Sequence, residues 1–297
     1  MRIVNHFRSM EIGLGWALRL GRVAEKIIGA GGMRALTHWL KNFAGDNMSE
    51  WMSDTPFAAT GVPATQKEGA EAVYFPACIS RIMGRLPNEP KITYASHCGV
   101  VSARRHARVH SIRCCRNMLW HAFSSKGFNR AHDIAANAAV EKFWRWSGEG
   151  KLPVVIDTSP CSYTLKTSRP SMTPENQKRF DRLRLLDSIE FVHDQLLPGL
   201  TVWTQLDSVA LLPVCSVTKM GLTAKLEGIA KACSPDVSIP PDAGCCAFAG
   251  DRGFLFPELT KSATKLEAAE VREKHPDGCY FSSRTCEIGM TRVTGDV

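Results

Sequence analysis

The chain has 297 residues, 44% of them apolar and 22% charged, with a formal net charge of +8. That is material for one large or two ordinary domains, and it excludes wholesale disorder. No stretch reaches the ~18 apolar residues of a membrane span, and no run of Lys and Arg is dense enough for a nucleic-acid surface. Residues 1–32 open basic and carry some apolar content, but Glu11, Arg19, Arg22, Glu25 and Lys26 interrupt any signal-peptide core. An amphipathic helix is expected there, stopped by Gly29, Gly31 and Gly32. It begins a helical lead-in over residues 1–70. With no export signal, the expected compartment is the cytosol, with at most a peripheral place at the inner face of the membrane. Eleven cysteines in a reducing compartment point to metal ligands or redox groups rather than to disulfides.

The cysteines fall into a duplicated pattern. Cys78 lies in EAVYFPACISRIMG and Cys215 in SVALLPVCSVTKMG. Both show a strand-like apolar run, a Pro two residues before the Cys, then Cys-x5-Gly with Met before the Gly. Further on, Lys126-Gly127-Phe128 is matched by Arg252-Gly253-Phe254, and VVIDTSPC ending at Cys161 by FSSRTC ending at Cys286. The three landmarks recur in the same order, at offsets of 137, 126 and 125 residues. Two related units are therefore expected, over 71–200 and 201–297.

Within the units, KLPVVID reads as a short strand, and PENQKRFDRLRLLDSIEFVHDQLL and LFPELTKSATKLEAAEVREKH each read as a helix. Alternating strands and helices predict an α/β fold. Loops leaving the carboxyl ends of its strands gather at one edge, and a Cys at each strand end converges there. The second unit supplies Cys215, the adjacent pair Cys245 and Cys246, and Cys286. Four thiolates from separated loops suit an iron–sulfur cluster or a zinc ion. The short Cys-x2-4-Cys knuckles of compact zinc sites are absent, which favours iron–sulfur; buried, unliganded thiols are the plain alternative. Cys98, Cys233 and Cys279 have no counterpart in the repeat and read as small buried hydrophobes. Cys279, seven residues from Cys286, is a competing ligand.

FPACISRIMG, DTSPCSYTLK, CSVTKMGLTAKL, GCCAFAGDRGFLFPELT and SSRTCEIGM together carry a family likeness. Over roughly residues 20–297 the chain resembles the C-terminal half of the FAD-linked D-lactate dehydrogenases that hold iron–sulfur clusters. It is also similar to the iron–sulfur subunits of glycolate and lactate oxidation systems and to heterodisulfide reductase subunits. The shared unit is the cysteine-rich CCG domain, here present twice; Ala247 stands where the Gly of that name would be. The resemblance implies metal ligands at Cys215, Cys245, Cys246 and Cys286, with Cys78 and Cys161 in the first unit. It implies a cluster of the 4Fe–4S type that relays electrons from a flavin to a cytochrome or quinone. FAD would sit on a flavoprotein dehydrogenase domain or subunit that this chain lacks. No Cys precedes Cys78 to ligate a ferredoxin-type cluster, and the glycines of IGAGGMRA lack a preceding strand and the GxGxxG spacing. The other functions implied are a thiol-redox subunit in the heterodisulfide reductase manner, or an inactive truncated product.

The first unit departs from the pattern. Its adjacent cysteines, Cys114 and Cys115, end twelve residues before Gly127, whereas Cys246 lies seven before Gly253. The segment around them is rich in Arg and His with almost no apolar period. Asn117–His121 back-translated and shifted by one nucleotide yields Thr-Cys-Cys-Gly, so we read roughly residues 105–122 as translated out of frame. Cys78 and Cys161 would then keep their contexts without their partners. His106, His110, His121 and His132 cluster loosely around Cys114 and Cys115 without clean zinc-ligand spacing. Lys126 and Arg252 are candidates to place positive charge near a cluster, and Asp251 to fix its loop by hydrogen bonds.

Overall fold

The computed structural model of the chain describes residues 2–45, 48–59, 68–87 and 120–295. Helix α1, Arg2–Ala44, opens the chain and is broken at Gly29, where φ is 75° and ψ 165°. The expected stop is therefore a break: a helical ladder resumes after Gly29 and runs on to Ala44. The lead-in is tied to the rest by two ion pairs. Glu11 of α1 meets Arg81 at 2.5 Å, and Asp54 meets Arg292 at 2.5 Å. Among the described residues, an antiparallel bridge, Ala58 to Met83, joins the segment after α1 to the chain beyond it.

Two small parallel sheets follow, as expected of an α/β chain. The first holds β1 (Val73–Phe75), β2 (Val154–Ile156) and β3 (Leu185–Asp187) in that order. The second holds β4 (Ser208–Leu212), β5 (Asp236–Ser238) and β6 (Gly278–Phe281) in the order β5-β4-β6. Every pairing is parallel, so helices must return the chain between strands. In the first unit these are α2 (Cys78–Ile82), α3 (Trp120–Ser125), α4 (Asn129–Trp146), α5 (Ser159–Thr167), α6 (Pro174–Arg182) and α7 (Ser188–Phe191). In the second they are α8 (Cys215–Lys219), α9 (Thr223–Cys233), α10 (Arg252–Leu255), α11 (Pro257–Ala263), α12 (Lys265–Lys274) and α13 (Arg284–Thr294).

β1, β2 and most of β4 read as apolar runs because helices and loops cover both of their faces. Val154 and Ile156 face a core built on Phe75, Trp120 and Phe143, whose rings sit 5.1–6.2 Å apart. Val155 points the other way, toward Ala72, Phe191 and Leu196. In the second sheet Ala210 and Leu212 pack on Ala268, Val271 and Met290. Each fully buried Leu or Phe contributes about 1.5–3 kcal/mol.

The sequence repeat is also a repeat of register. Phe75 pairs with Ile156 in the first sheet, and Leu212 with Phe281 in the second. Those residues are related by the cysteine offsets, 137 for Phe75 to Leu212 and 125 for Ile156 to Phe281. The two sheets differ in their third strand. β5 falls between β4 and β6 in the chain, and its sequence counterpart lies outside the described residues. β3 follows β2 and has no counterpart before residue 295.

Two expected elements are divided. The predicted helix over 174–197 ends at Arg182, and Leu185–Asp187 forms strand β3. Leu185 packs into the core on one face of the sheet and Leu186 into the core on the other, a two-residue alternation that a helical period mimics over so short a run. Asp187 then caps α7, its carboxylate accepting from the Ile189 amide at 3.0 Å while Glu190 accepts from the Asp187 amide at 2.8 Å. The predicted helix over 255–275 likewise splits at Thr264 into α11 and α12.

Candidate metal centre

Each unit places two cysteines by the same local rule. Strand, Pro, one residue, then Cys at the first position of a helix puts Cys78 after β1 and Cys215 after β4. Proline cannot extend the strand ladder, so the chain turns there, and its fixed φ directs it into the helix. Cys161 and Cys286 are each the third residue of their helices, behind extended N-caps at Thr158 and Ser283. Because β1 and β2 are neighbours, as are β4 and β6, each pair of cysteines meets at the carboxyl edge of its sheet.

In the second unit the loop between β5 and α10 brings the remaining two thiols. Cys246 Sγ lies 3.0 Å from Cys286 Sγ, and Cys245 hydrogen-bonds Cys215. All four expected ligands of this unit therefore converge. Cys246 is buried, Cys286 half-buried, and Cys215 and Cys245 are exposed. The loop turns back at Ala247, whose φ is +53°. Its amide, and that of Phe248 after it, bond the sulfurs of Cys245 and Cys246 respectively. Successive amides turned onto one centre make a nest for negative charge. Phe248 is fully buried beneath the doublet with Ile288 and Leu86. Its ring occupies the space where a Gly253 side chain would begin, which is why the loop needs glycine at that position.

The electrostatics follow from these contacts. The bond from Cys215 holds the Cys245 thiol down at about 5, helped by the Ala247 amide and the charge of Lys219. The same bond, with burial, pushes Cys215 up. Cys286 lowers Cys246, aided by the Phe248 amide, and is itself raised. In each pair the hydrogen bond from the junction cysteine favours negative charge on the adjacent-cysteine partner. Burial raises the Glu267 carboxyl to about 7; it accepts from the Gly244 amide and lies within electrostatic reach of Cys245.

Lys219 and Glu267 were not singled out by sequence. Lys219 stands one helical turn after Cys215, a spacing that would have marked it. Glu267 sits in an unremarkable charged helix and carried no signal. Lys126 pairs instead with Asp251 across the two units, at 2.6 Å and half-exposed, so these two loop residues bond each other. Arg252 is exposed. Cys279 points into the apolar cluster beside β6 and is raised to about 11 by burial; it stands apart from the four thiols. Cys233 is exposed at the end of α9.

The first unit is built differently where it can be compared. Cys78 and Cys161 lie near each other in its core. Burial raises Cys78 to about 11 and Cys161 well above the ordinary thiol range. Asp157 beside them accepts from the Ala77 amide at 2.8 Å and from the Tyr74 hydroxyl at 3.0 Å. Cys98, Cys114, Cys115, His106, His110 and most of the segment read as out of frame lie outside the described residues. Trp120, at the downstream end of that segment, is buried and donates its indole N–H to the Cys161 carbonyl at 3.0 Å. His121 bonds Thr164 at 2.7 Å. His132 uses both ring nitrogens on Trp120 O and Ser168 Oγ, a structural role.

Four thiols without a carboxylate or imidazole among them form a soft donor set. Among the described residues, no group of three or more His, Cys, Asp or Glu side chains has the geometry of a single-ion site. The four sulfurs are hydrogen-bonded as two pairs, Cys246 with Cys286 and Cys245 with Cys215. No family model matches the chain, and a search of curated proteins returns no match.

Proposed function

We propose that the chain is the electron-relay portion of a D-2-hydroxy-acid dehydrogenase of the D-lactate type, holding an iron–sulfur cluster on Cys215, Cys245, Cys246 and Cys286. The observation that carries this is the convergence of those four thiols from three separate β–α junctions and loops, in a site whose amides and lysine favour thiolate. A cluster bound there supplies one-electron storage and release. The chain's own residues do the rest. Cys245 and Cys246 are the thiols whose charged form the site favours, each taking a hydrogen bond from Cys215 or Cys286. The Ala247 and Phe248 amides and Lys219 offset negative charge at the site. Phe248, Ile288 and Leu86 exclude water from its inner side. Electrons arrive from a flavoprotein dehydrogenase domain or subunit that carries FAD, and leave to a cytochrome or quinone.

Anaerobic reconstitution of the full chain with ferrous iron and sulfide tests this. The expected product binds iron and sulfide in equal amounts, shows visible charge-transfer absorption, and loses both in Cys246→Ser while far-UV circular dichroism is retained. Equal iron and sulfide uptake by wild type and Cys246→Ser, or none by wild type, would refute it.

A further inference from the structure

Helix α1 presents a row of large apolar side chains to solvent. The polar side chains Glu11, Arg22, Glu25 and Thr37 turn inward: Glu11 to Arg81, Arg22 to Glu25, and Thr37 to the Met33 carbonyl. One row of its apolar side chains faces out. Ile12, Trp16, Leu20, Val23 and Ile27 are all exposed, Leu20 by 62% and Ile27 by 78%. Spaced by four, four, three and four residues, they form one stripe along the helix. A stripe of this size left in water marks an interaction surface. Beyond the break at Gly29, Leu36, Trp39 and Phe43 are exposed as well.

The charges say what covers the stripe. At 100° per residue Arg19 and Lys26 fall on the same edge of it, and both are exposed. The Arg19 guanidinium lies 5.5 Å from the centre of the Trp16 ring. Glu11 and Glu25, the acidic residues of α1, are both engaged on the inward side. The outer surface is thus apolar with a cationic edge and an aromatic ring at the boundary, the make-up of helices that lie in a lipid headgroup layer. No helix among the described residues is long and apolar enough to cross a membrane, so such a helix lies on the bilayer rather than spanning it. From this we infer that α1 docks the protein flat on an anionic phospholipid surface, with Leu20 and Ile27 in the acyl boundary and Arg19 and Lys26 at the phosphates. This rests on α1 alone and stands independently of the cluster.

Co-sedimentation of the full chain tests it, with vesicles of phosphatidylcholine alone and of phosphatidylcholine mixed with phosphatidylglycerol. Binding is expected to the mixed vesicles, weakened by salt, and much weaker to the neutral ones. Arg19→Gln with Lys26→Gln should lower partition to mixed vesicles by roughly 25-fold, about fivefold per charge. Leu20→Ser with Ile27→Ser should lower it by about tenfold or more. All four side chains are exposed, so circular dichroism and the thermal midpoint should match wild type in both variants. Failure to bind mixed vesicles, or unchanged binding by the charge-neutralised variant, overturns the inference. So does lipid-free self-association that is abolished in Leu20→Ser with Ile27→Ser, without vesicle binding; that result assigns the stripe to a second copy of the chain.

Discussion

The turn that presents the cysteine doublet holds an alanine where glycine would be more stable. Ala247 has φ +53°, and an L-residue in the left-handed region costs about 1–2 kcal/mol. Glycine removes that strain but has more conformational freedom to lose on folding, about 0.5–1 kcal/mol. Ala247 is half-buried and its neighbour on the inner side is Phe248, so deleting one methyl forfeits little packing. Ala247→Gly should therefore stabilise the protein by about 0.5–1 kcal/mol. The control is Ala269→Gly, an exposed position in the middle of α12, which should cost about 1 kcal/mol. Urea unfolding of the metal-free chain followed by circular dichroism reads both. Opposite signs confirm the turn; equal destabilisation in the two variants would refute the left-handed geometry, and with it the aim of the Ala247 and Phe248 amides at the sulfurs.

Three other outcomes are expected. Glu267 has its carboxyl raised from 4.5 to about 7 by burial, so the stability it contributes is full below pH 4.5 and is lost as pH rises through about 7. Thermal midpoints of wild type should therefore fall relative to Glu267→Gln between those values, and parallel profiles would show that the carboxyl is not held neutral. Asp187→Ala removes the cap of α7 and should cost about 1–2 kcal/mol in the same urea assay; a loss below 0.5 kcal/mol, at the low end for a cap, would mean that the capping box is not formed. Iodoacetamide at neutral pH should label Cys245 well before Cys215 in the metal-free protein. Both are exposed, so peptide mass spectrometry reads their opposite shifts, and equal rates would refute the favoured charge on Cys245.

The sequence showed the repeat because its landmarks sit at β–α junctions, where local chemistry dictates geometry. Pro76 and Pro213 end their strands, Cys78 and Cys215 begin the helices that follow, and the 137-residue offset is preserved in the pairing of Phe75 and Leu212 with their neighbours. Strand β3 was hidden for the opposite reason. Leu185–Asp187 is three residues long, too short to show a period of its own inside a helical pattern. Glu267 was hidden because its role depends on burial against Gly244, which no spacing along the chain records. Gly127 and Gly253 recur in the sequence but answer different needs. Gly127 has φ +73° with open space around it, whereas Gly253 makes room for the Phe248 ring. A repeated residue thus need not carry a repeated reason.

The division of labour between strand ends and loop explains how the two units diverge. Strand–helix junctions fix Cys78 with Cys161 and Cys215 with Cys286 equally well, since register and helix position are the same in both. Neither junction pair by itself produces a thiolate. In the first unit Cys78 and Cys161 are both raised by burial; in the second Cys215 and Cys286 are raised first by their hydrogen bonds to Cys245 and Cys246, then by burial. The lowered thiols, Cys245 and Cys246, both come from the loop, which brings its own amides with it. In the second unit the junction pair is therefore a scaffold, and the loop brings the thiols whose charge the site favours.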